Sequence, residues 1–341
     1  MSGSTILSTF PRPVRQRSRR EVPAWALSAL LLAVLLVVYL IFAPGSTSLF
    51  AFNGTIRTSL PLILLALGQT IVLISGGIDL SIGALACLCS AVAVQVVKAD
   101  SSPGDVLAGA LLVLLVGAAG GAANAVAIAF FRLQPIIATF GSSFVFGGLA
   151  LVIQPAPGGE VPLDLVLAFN ADNLFISNTI LITVVILLVW GWVMRTRFRD
   201  FLYATGASPQ TAYSSAVPVR RVRSAAFILA GVFAAFAAMA LVLTTGTADP
   251  TAGLTLVLPA VVAAIVGGTS LSGGQGGLLG TVFAALSLGL LQTMISIASI
   301  PPSWQQLAYG VAILIALSLN SLRLYLGAVA ARKALRKEAL Q

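Results

Sequence analysis

Long apolar runs separated by short polar stretches recur along almost the whole chain. A helix that crosses the hydrocarbon layer of a bilayer needs about 20 mostly apolar residues. Runs of that kind lie near 24–43, 58–75, 82–97, 105–131, 136–153, 175–194, 224–245, 255–268, 277–298 and 304–322. The pattern therefore predicts an all-α polytopic membrane protein with about ten spans, the eighth short and interrupted by glycine. A transmembrane domain over 24–323 is flanked by basic tails, 1–23 and 324–341. The first run follows Arg12, Arg15, Arg17, Arg19 and Arg20, as in a signal peptide. It has no clear small-residue cleavage site, so it reads as an uncleaved span.

The basic residues give these spans a direction. Loops on the cytoplasmic side carry an excess of Lys and Arg. With the N-terminus inside, 17 of the 19 basic residues fall inside and only Arg57 and Lys98 outside. The inner set is the five tail arginines, Arg132, six in 195–223, and Arg323, Arg332, Lys333, Arg336 and Lys337. An even span number returns the C-terminus to the cytoplasm. Asp100, Asp105, Glu160, Asp164, Asp172 and Asp249 fall outside. The outer segment 154–173 has no basic residue and reads either as a solvated loop or as a docking surface for a soluble partner, with a short interfacial helix near 163–169.

Composition narrows the chemistry. The 341 residues are 58% hydrophobic and 9% charged, with a mean hydropathy of +1.04; soluble domains carry about 25% charged residues. The net charge of +9 follows the topology and argues against nucleic acid as a partner. Histidine is absent, which removes the commonest general base and metal ligand. Cys87 and Cys89 lie two apart on one predicted helix and point in different directions, so neither a disulfide nor a metal site is expected.

Two polar stretches stand out. In 75-SGGIDLSIG-83 a lone acid, Asp79, sits in one of the most apolar parts of the chain. Gly76 and Gly77 are expected to break the second span, and Asp79 or Ser81 to cap the third. In the inner loop 195–223, Ser208 reads as the N-cap and Pro209 as the first position of a short helix over 208–216, ended by Val217-Pro218. Gly206 is expected to let the chain turn sharply before it. That loop is either a linker with two arginine anchors or a helix suited to a groove on a peripheral protein.

Both stretches resemble the ribose-type permeases, the membrane subunits of bacterial ABC importers for ribose, xylose, arabinose and similar monosaccharides. Tyr203-Ala204-Thr205-Gly206-Ala207-Ser208-Pro209, Ala212 and Val217-Pro218-Val219-Arg220-Arg221-Val222 are similar to that family's inner loop. Gln69-Thr70 with Ile78-Asp79-Leu80-Ser81-Ile82-Gly83, Asn124 with Arg132–Thr139, and Ala264–Leu271 are similar to three further motifs, in the family's order. The resemblance covers about 24–323 and favours the sugar branch over the branched-chain amino-acid one. It implies a type II ABC-importer-like fold and alternating access between two permease chains, either two copies or a copy and a paralogue. It also implies a sugar-type ATPase on the loop 200–220, a periplasmic substrate-binding protein on the outer loops, and a place in the bacterial inner membrane. Two departures are visible: Gln210 stands where the family usually has an acid, and Ala216 where it usually has glycine.

Residues 271–275 spell LSGGQ, the signature of ABC ATPases, yet no Gly-rich P-loop with its lysine accompanies it. The stretch is expected to be a Gly-rich turn between two close-packed spans, with Ser270 or Ser272 capping the next helix. No cofactor is expected on this chain; ATP and Mg belong to a separate ATPase. A neutral polyol needs hydroxyls and amides rather than paired charges. Gln69, Asn124, after the small-residue run 117–123 that lets two helices approach closely, and Thr139 are the candidates to line its path. An ion-coupled carrier or channel for a small polar solute is the competing reading, set back by the scarcity of intramembrane charge.

Overall fold

The computed structural model describes residues 25–42, 48–173 and 176–301, with single positions 304, 307, 310 and 311. The basic tails and most of the tenth expected run, 304–322, lie outside the described residues. Within them the chain is helical apart from one antiparallel pair of two-residue strands, β1 (Asp172–Asn173) and β2 (Ile176–Ser177). Helices α1 (Ala26–Phe42), α2 (Leu49–Ile74) and α3 (Ile82–Val96) lead to α4 (Pro103–Ala125), which widens into a π-helix over Val126–Phe130. After α5 (Pro135–Ile153) come α6 (Leu163–Asn170), the strand pair, and α7 (Asn178–Val193). The inner loop forms α8 (Arg197–Ala207) and α9 (Pro209–Ser214) before α10 (Val219–Thr245). A 3-10 turn (Ala252–Leu256) runs into α11 (Val257–Val266), and α12 (Leu278–Ile297) follows.

Local chemistry sets the ends. Ser48 caps α2, its hydroxyl accepting from Ala51 N. Ser102 and Asp105 form a reciprocal capping box at α4, with Pro103 at the first helical position. The expected interfacial helix near 163–169 is α6. Helix α2 begins nine residues before the expected run because its first turns carry Asn53, Arg57 and Thr58, which hide the apolar period.

Among the described residues five helices are long and apolar enough to cross a membrane: Ala51–Ile74, Pro103–Phe130, Pro135–Ile153, Val219–Thr245 and Leu278–Ile297. A sixth is added if α7 and α8, bent by 76° at their junction, count as one. The first, third and eighth expected runs form shorter apolar helices, Ala26–Phe42, Ile82–Val96 and Ala252–Val266. Ten full-length spans are therefore not what the described residues contain. Helix α3 is short because residues 75–81 form a largely buried loop, and α11 because the chain winds as 3-10 up to Leu256 and the helix ends at Val266.

Helices α2 and α10 form the centre, α10 packing along α4, α2 and α3, and α12 along α2, α11 and α1. Along its apolar window α2 is 83% buried, whereas α4 and α5 are 28% and 17% buried. Phe140, Phe144, Val145, Leu149 and Val152 of α5 are all exposed. Apolar faces of that extent require lipid or another chain against them. The expected close approach of the 117–123 run is made to α10: a Cβ on Gly117 would overlap Gly231 O, and one on Gly121 would overlap Phe227 O. Gly267 and Gly280 bring α11 and α12 together in the same way. Cys87 and Cys89 are buried and unpaired with each other.

The two ends of the bundle differ in charge. Near the start of α2, Arg57 Nη2 pairs with Asp172 Oδ1 at 3.2 Å. At its other end lie the loop 75–81, helices α8 and α9, and Arg223.

Candidate coupling site

The loop between α2 and α3 is built by glycine and then fastened by side chains. Gly76 takes φ of 83°, a left-handed conformation that suits glycine. Gly76 N and Gly77 N fold back on Leu73 O at 2.9 Å and Val72 O at 3.0 Å, closing the end of α2. Beyond them the chain carries Asp79 inward, 1% exposed.

Side chains from three helices hold this loop. Ser142 Oγ of α5 donates to Asn124 Oδ1 of α4 at 2.6 Å, and Asn124 Nδ2 donates to Ser81 Oγ at 2.7 Å. Ser81 Oγ in turn donates to Asp79 Oδ1 at 2.6 Å, and Ser81 N donates to the same oxygen at 2.8 Å. Every donor in the chain points one way, and Asp79 is the acceptor that ends it. Thr139 Oγ1 accepts from Leu80 N at 3.0 Å and donates to Pro135 O at 2.9 Å. With its amide oriented to satisfy both partners, Gln69 donates to Asp79 O at 2.9 Å and accepts from Asp79 N at 3.3 Å. Ser81 occupies the N-cap position of α3 without a side-chain capping bond. It is Asp79, not Ser81, whose side chain takes an amide at that helix start.

Gln69, Asn124 and Thr139 are thus brought to one place. Each is at most 1% exposed and bonded to the loop or to its fastening, so in this conformation they face protein rather than an open passage. Gly83, the second residue of α3, presses against the 3-10 turn, where a Cβ would overlap Gly253 O.

The inner loop meets this structure through glycine. Gly206 lies inside α8, so it makes no turn there. Its role is contact: a Cβ on Gly206 would overlap Ile74 O and come within 2.5 Å of Gly274 N. Gly274 N donates to that same Ile74 O at 2.9 Å. A Cβ on Gly273 would come 2.8 Å from Gly206 O and 2.9 Å from Gly76 Cα. Tyr203 Oη donates to Gly276 O at 2.8 Å. Three segments, 74–77, 203–207 and 273–276, therefore touch backbone to backbone. The LSGGQ stretch is one member of this junction. Its serines do not cap α12, whose N-cap is Gly277; Ser270 and Ser272 share a 2.7 Å contact with each other.

Helix α9 forms as its sequence predicts. Ser208 Oγ accepts from Thr211 N at 3.3 Å and Pro209 takes the first helical position. Ala212 is buried against the body, while Gln210 and Tyr213 are exposed. The exit turn places Ala216 at φ of 61°, and Pro218 then occupies the N-cap position of α10. Arg220 and Arg221 are exposed on its first turn. A left-handed alanine costs about 1–2 kcal/mol. Ala216→Gly is therefore expected to raise thermal stability by up to about 1 kcal/mol, the gain being offset by glycine's larger backbone entropy. A higher unfolding midpoint of the detergent-solubilised variant is the expected reading, and a lower one would contradict the strain.

Nothing local in the sequence marks Ser142, or joins Tyr203 and 273–276 to this site. The run of glycines at 273, 274, 276 and 277 was the available signal. Among the described residues no cluster of three or more metal-ligating side chains occurs.

Residues 51–317 match the family model described as "Branched-chain amino acid transport system / permease component". The autoinducer 2 import system permease protein LsrD of Escherichia coli K12 is 34% identical over 246 residues, which cover 70% of this chain and 74% of the relative. The proteins of the same name from Shigella flexneri and Escherichia coli O157:H7 match at the same identity and coverage. No solved structure matches. The motifs at 69–83, 124–139 and 203–222 all lie within the matched region, and the chain belongs to this permease family, as a membrane subunit of the sugar-type ABC importer class.

Proposed function

We propose that the chain is the membrane half of an ATP-driven importer that moves a monosaccharide or similar small polyol by alternating access. Both termini face the cytoplasm, ten spans cross a bacterial inner membrane in a type II arrangement, and lipid surrounds them. A second copy or a paralogue packs against one of the exposed apolar faces, and a periplasmic binding protein docks at the acidic outer end. ATP and Mg are held by a separate sugar-type ATPase that contacts α9 and the start of α10, at Ser208, Pro209, Ala212, Pro218, Arg220 and Arg221. Autoinducer 2, the solute in the relatives' name, is the first cargo to test beside simple sugars.

The observation that carries this reading is the backbone junction at Gly206. Helix α8 links the α9 docking element to the end of α2 without an intervening flexible side chain. Closure of the ATPase displaces α9, and α8 passes that displacement to Ile74–Gly77. The donor chain from Ser142 to Asp79 ties the same loop to α4 and α5, so these helices tilt together. The spans contribute amides and hydroxyls, which suit a neutral polyol. One observation favours the ion-coupled alternative: Asp79 Oδ2 is buried and has no hydrogen-bond partner among the described residues.

The docking assignment is tested by Arg220→Glu combined with Arg221→Glu. Membrane insertion is expected to persist, because both residues are exposed. Association with the ATPase is expected to weaken at least about tenfold, through like-charge contact and loss of steering. Normal co-purification of the double variant with its ATPase would contradict the assignment.

A further inference from the structure

A groove of about 1110 Å³ separates the turn that joins α4 to α5 from the α9–α10 segment. Arg132 stands on one wall, and Arg220, Arg221 and Arg223 on the other, with no acidic side chain lining it. The only ion pair among the described residues, Arg57 with Asp172, is at the opposite end of α2. Four guanidinium groups held around one cavity repel each other and raise the local potential for an anion. Gln210, on the α9 side of the groove, is neutral where the resembled family carries an acid, so the chain supplies no counter-charge there. A carboxylate that pairs with these arginines therefore comes from another molecule.

The walls indicate which kind. Tyr213, 77% exposed, stands at the groove beside the arginines. Exposed tyrosine with arginine is the composition that dominates binding energy in protein interfaces. Arg132 itself has φ of 56°, so a residue other than glycine is held in a left-handed turn, directly after the π-helix. Strain at a non-glycine residue marks positions kept for function.

We infer that this groove receives an acidic segment of the ATPase subunit, carrying at least two carboxylates, and that Arg132 makes the α4–α5 turn a second docking element beside α9. The inference rests on the importer reading and names the chemistry of its partner surface. Bidentate guanidinium–carboxylate pairing gives the contact its geometry. The turn couples α5, and with it Thr139 and Ser142, to the ATPase by a route separate from Gly206.

The test measures binding of the isolated ATPase subunit to the permease in nanodiscs, made either of phosphatidylcholine alone or with phosphatidylglycerol added. In neutral discs Arg132→Glu is expected to weaken binding at least about tenfold. Arg132→Gly, which suits the left-handed backbone and removes the guanidinium with the rest of the side chain, is expected to weaken it also, so misfolding at the turn is not a competing explanation. Arg132→Lys retains the charge without the planar fork and is expected to lie between the parent and Arg132→Glu. Parent-like binding by both Arg132→Glu and Arg132→Gly, with loss in the Arg220→Glu/Arg221→Glu variant, would overturn the groove and leave the importer reading intact. An Arg132 effect confined to the anionic discs would assign the groove to lipid headgroups and overturn the ATPase as occupant. No binding by the parent in either disc would overturn the inference together with the reading beneath it.

Discussion

Gly206→Ala is expected to uncouple transport from ATP hydrolysis. The added methyl would overlap Ile74 O, a backbone atom that cannot rotate away, and would press on Gly274 N. Insertion of one carbon into close-packed structure typically costs about 1–3 kcal/mol. Here relief comes by separating α8 from the end of α2, which is the contact through which α9 acts. The exposed face of α9, with Gln210 and Tyr213, is untouched. ATPase binding should therefore stay near that of the parent while ATP-driven uptake falls at least about tenfold, as ~1.4 kcal/mol of misplaced contact suffices for that factor. Gly274→Ala, where a Cβ would come 2.6 Å from Ala207 Cα, is expected to give the same split. Paired measurements of ATPase binding and uptake read the outcome directly. Full uptake by both variants would show that the junction carries no motion.

The second large effect concerns the acceptor that ends the donor chain. Asp79→Leu leaves Ser81 N and the hydroxyl of Ser81 without their oxygen, at a place where both Asp79 and Ser81 are buried. A buried donor left unpaired costs about 1–3 kcal/mol, more where the lost partner is charged. The loss of both should lower the unfolding midpoint and loosen the loop from Asn124 and Ser142. Asp79→Asn retains an acceptor oxygen at the same place and is expected to unfold close to the parent. Thermal unfolding of the solubilised variants separates the two substitutions; equal destabilisation by both would contradict the acceptor role. If Asp79→Asn folds as the parent does but transports nothing, the charge itself acts in transport and the ion-coupled reading gains.

Much of this was legible in the sequence because it depended on local rules. The helix α9 follows from Ser208 and Pro209, the break in α2 from Gly76-Gly77, and the close approach of α4 from its small residues. The motif residues Gln69, Asp79, Ser81, Asn124 and Thr139 were each singled out, but as a possible path lining or a cap. Only the fold shows them converging on one loop, because the bonds span up to 61 positions of chain. Gly206 was misread as a turn residue, since sequence cannot distinguish a glycine needed for its backbone angle from one needed for its missing Cβ. The LSGGQ stretch reads in sequence as a Gly-rich turn, and its part in the junction depends on contacts with segments about 70 and 200 positions away. Helix α8 went unseen because its polar residues and arginines gave no spanning pattern, whereas α3 and α11 fall within the expected runs 82–97 and 255–268 because their apolar residues are continuous.

The central claim, that this chain moves a neutral solute at the expense of ATP on another chain, is tested most directly by uptake into proteoliposomes. The vesicles hold the permease, the ATPase and enclosed ATP, with the binding protein and radiolabelled solute outside and ionophores present to abolish every ion gradient. Uptake is predicted to continue under ionophores and to stop when ATP is omitted or the ATPase is left out. Uptake that needs no ATPase and collapses with the ionophores would contradict the account.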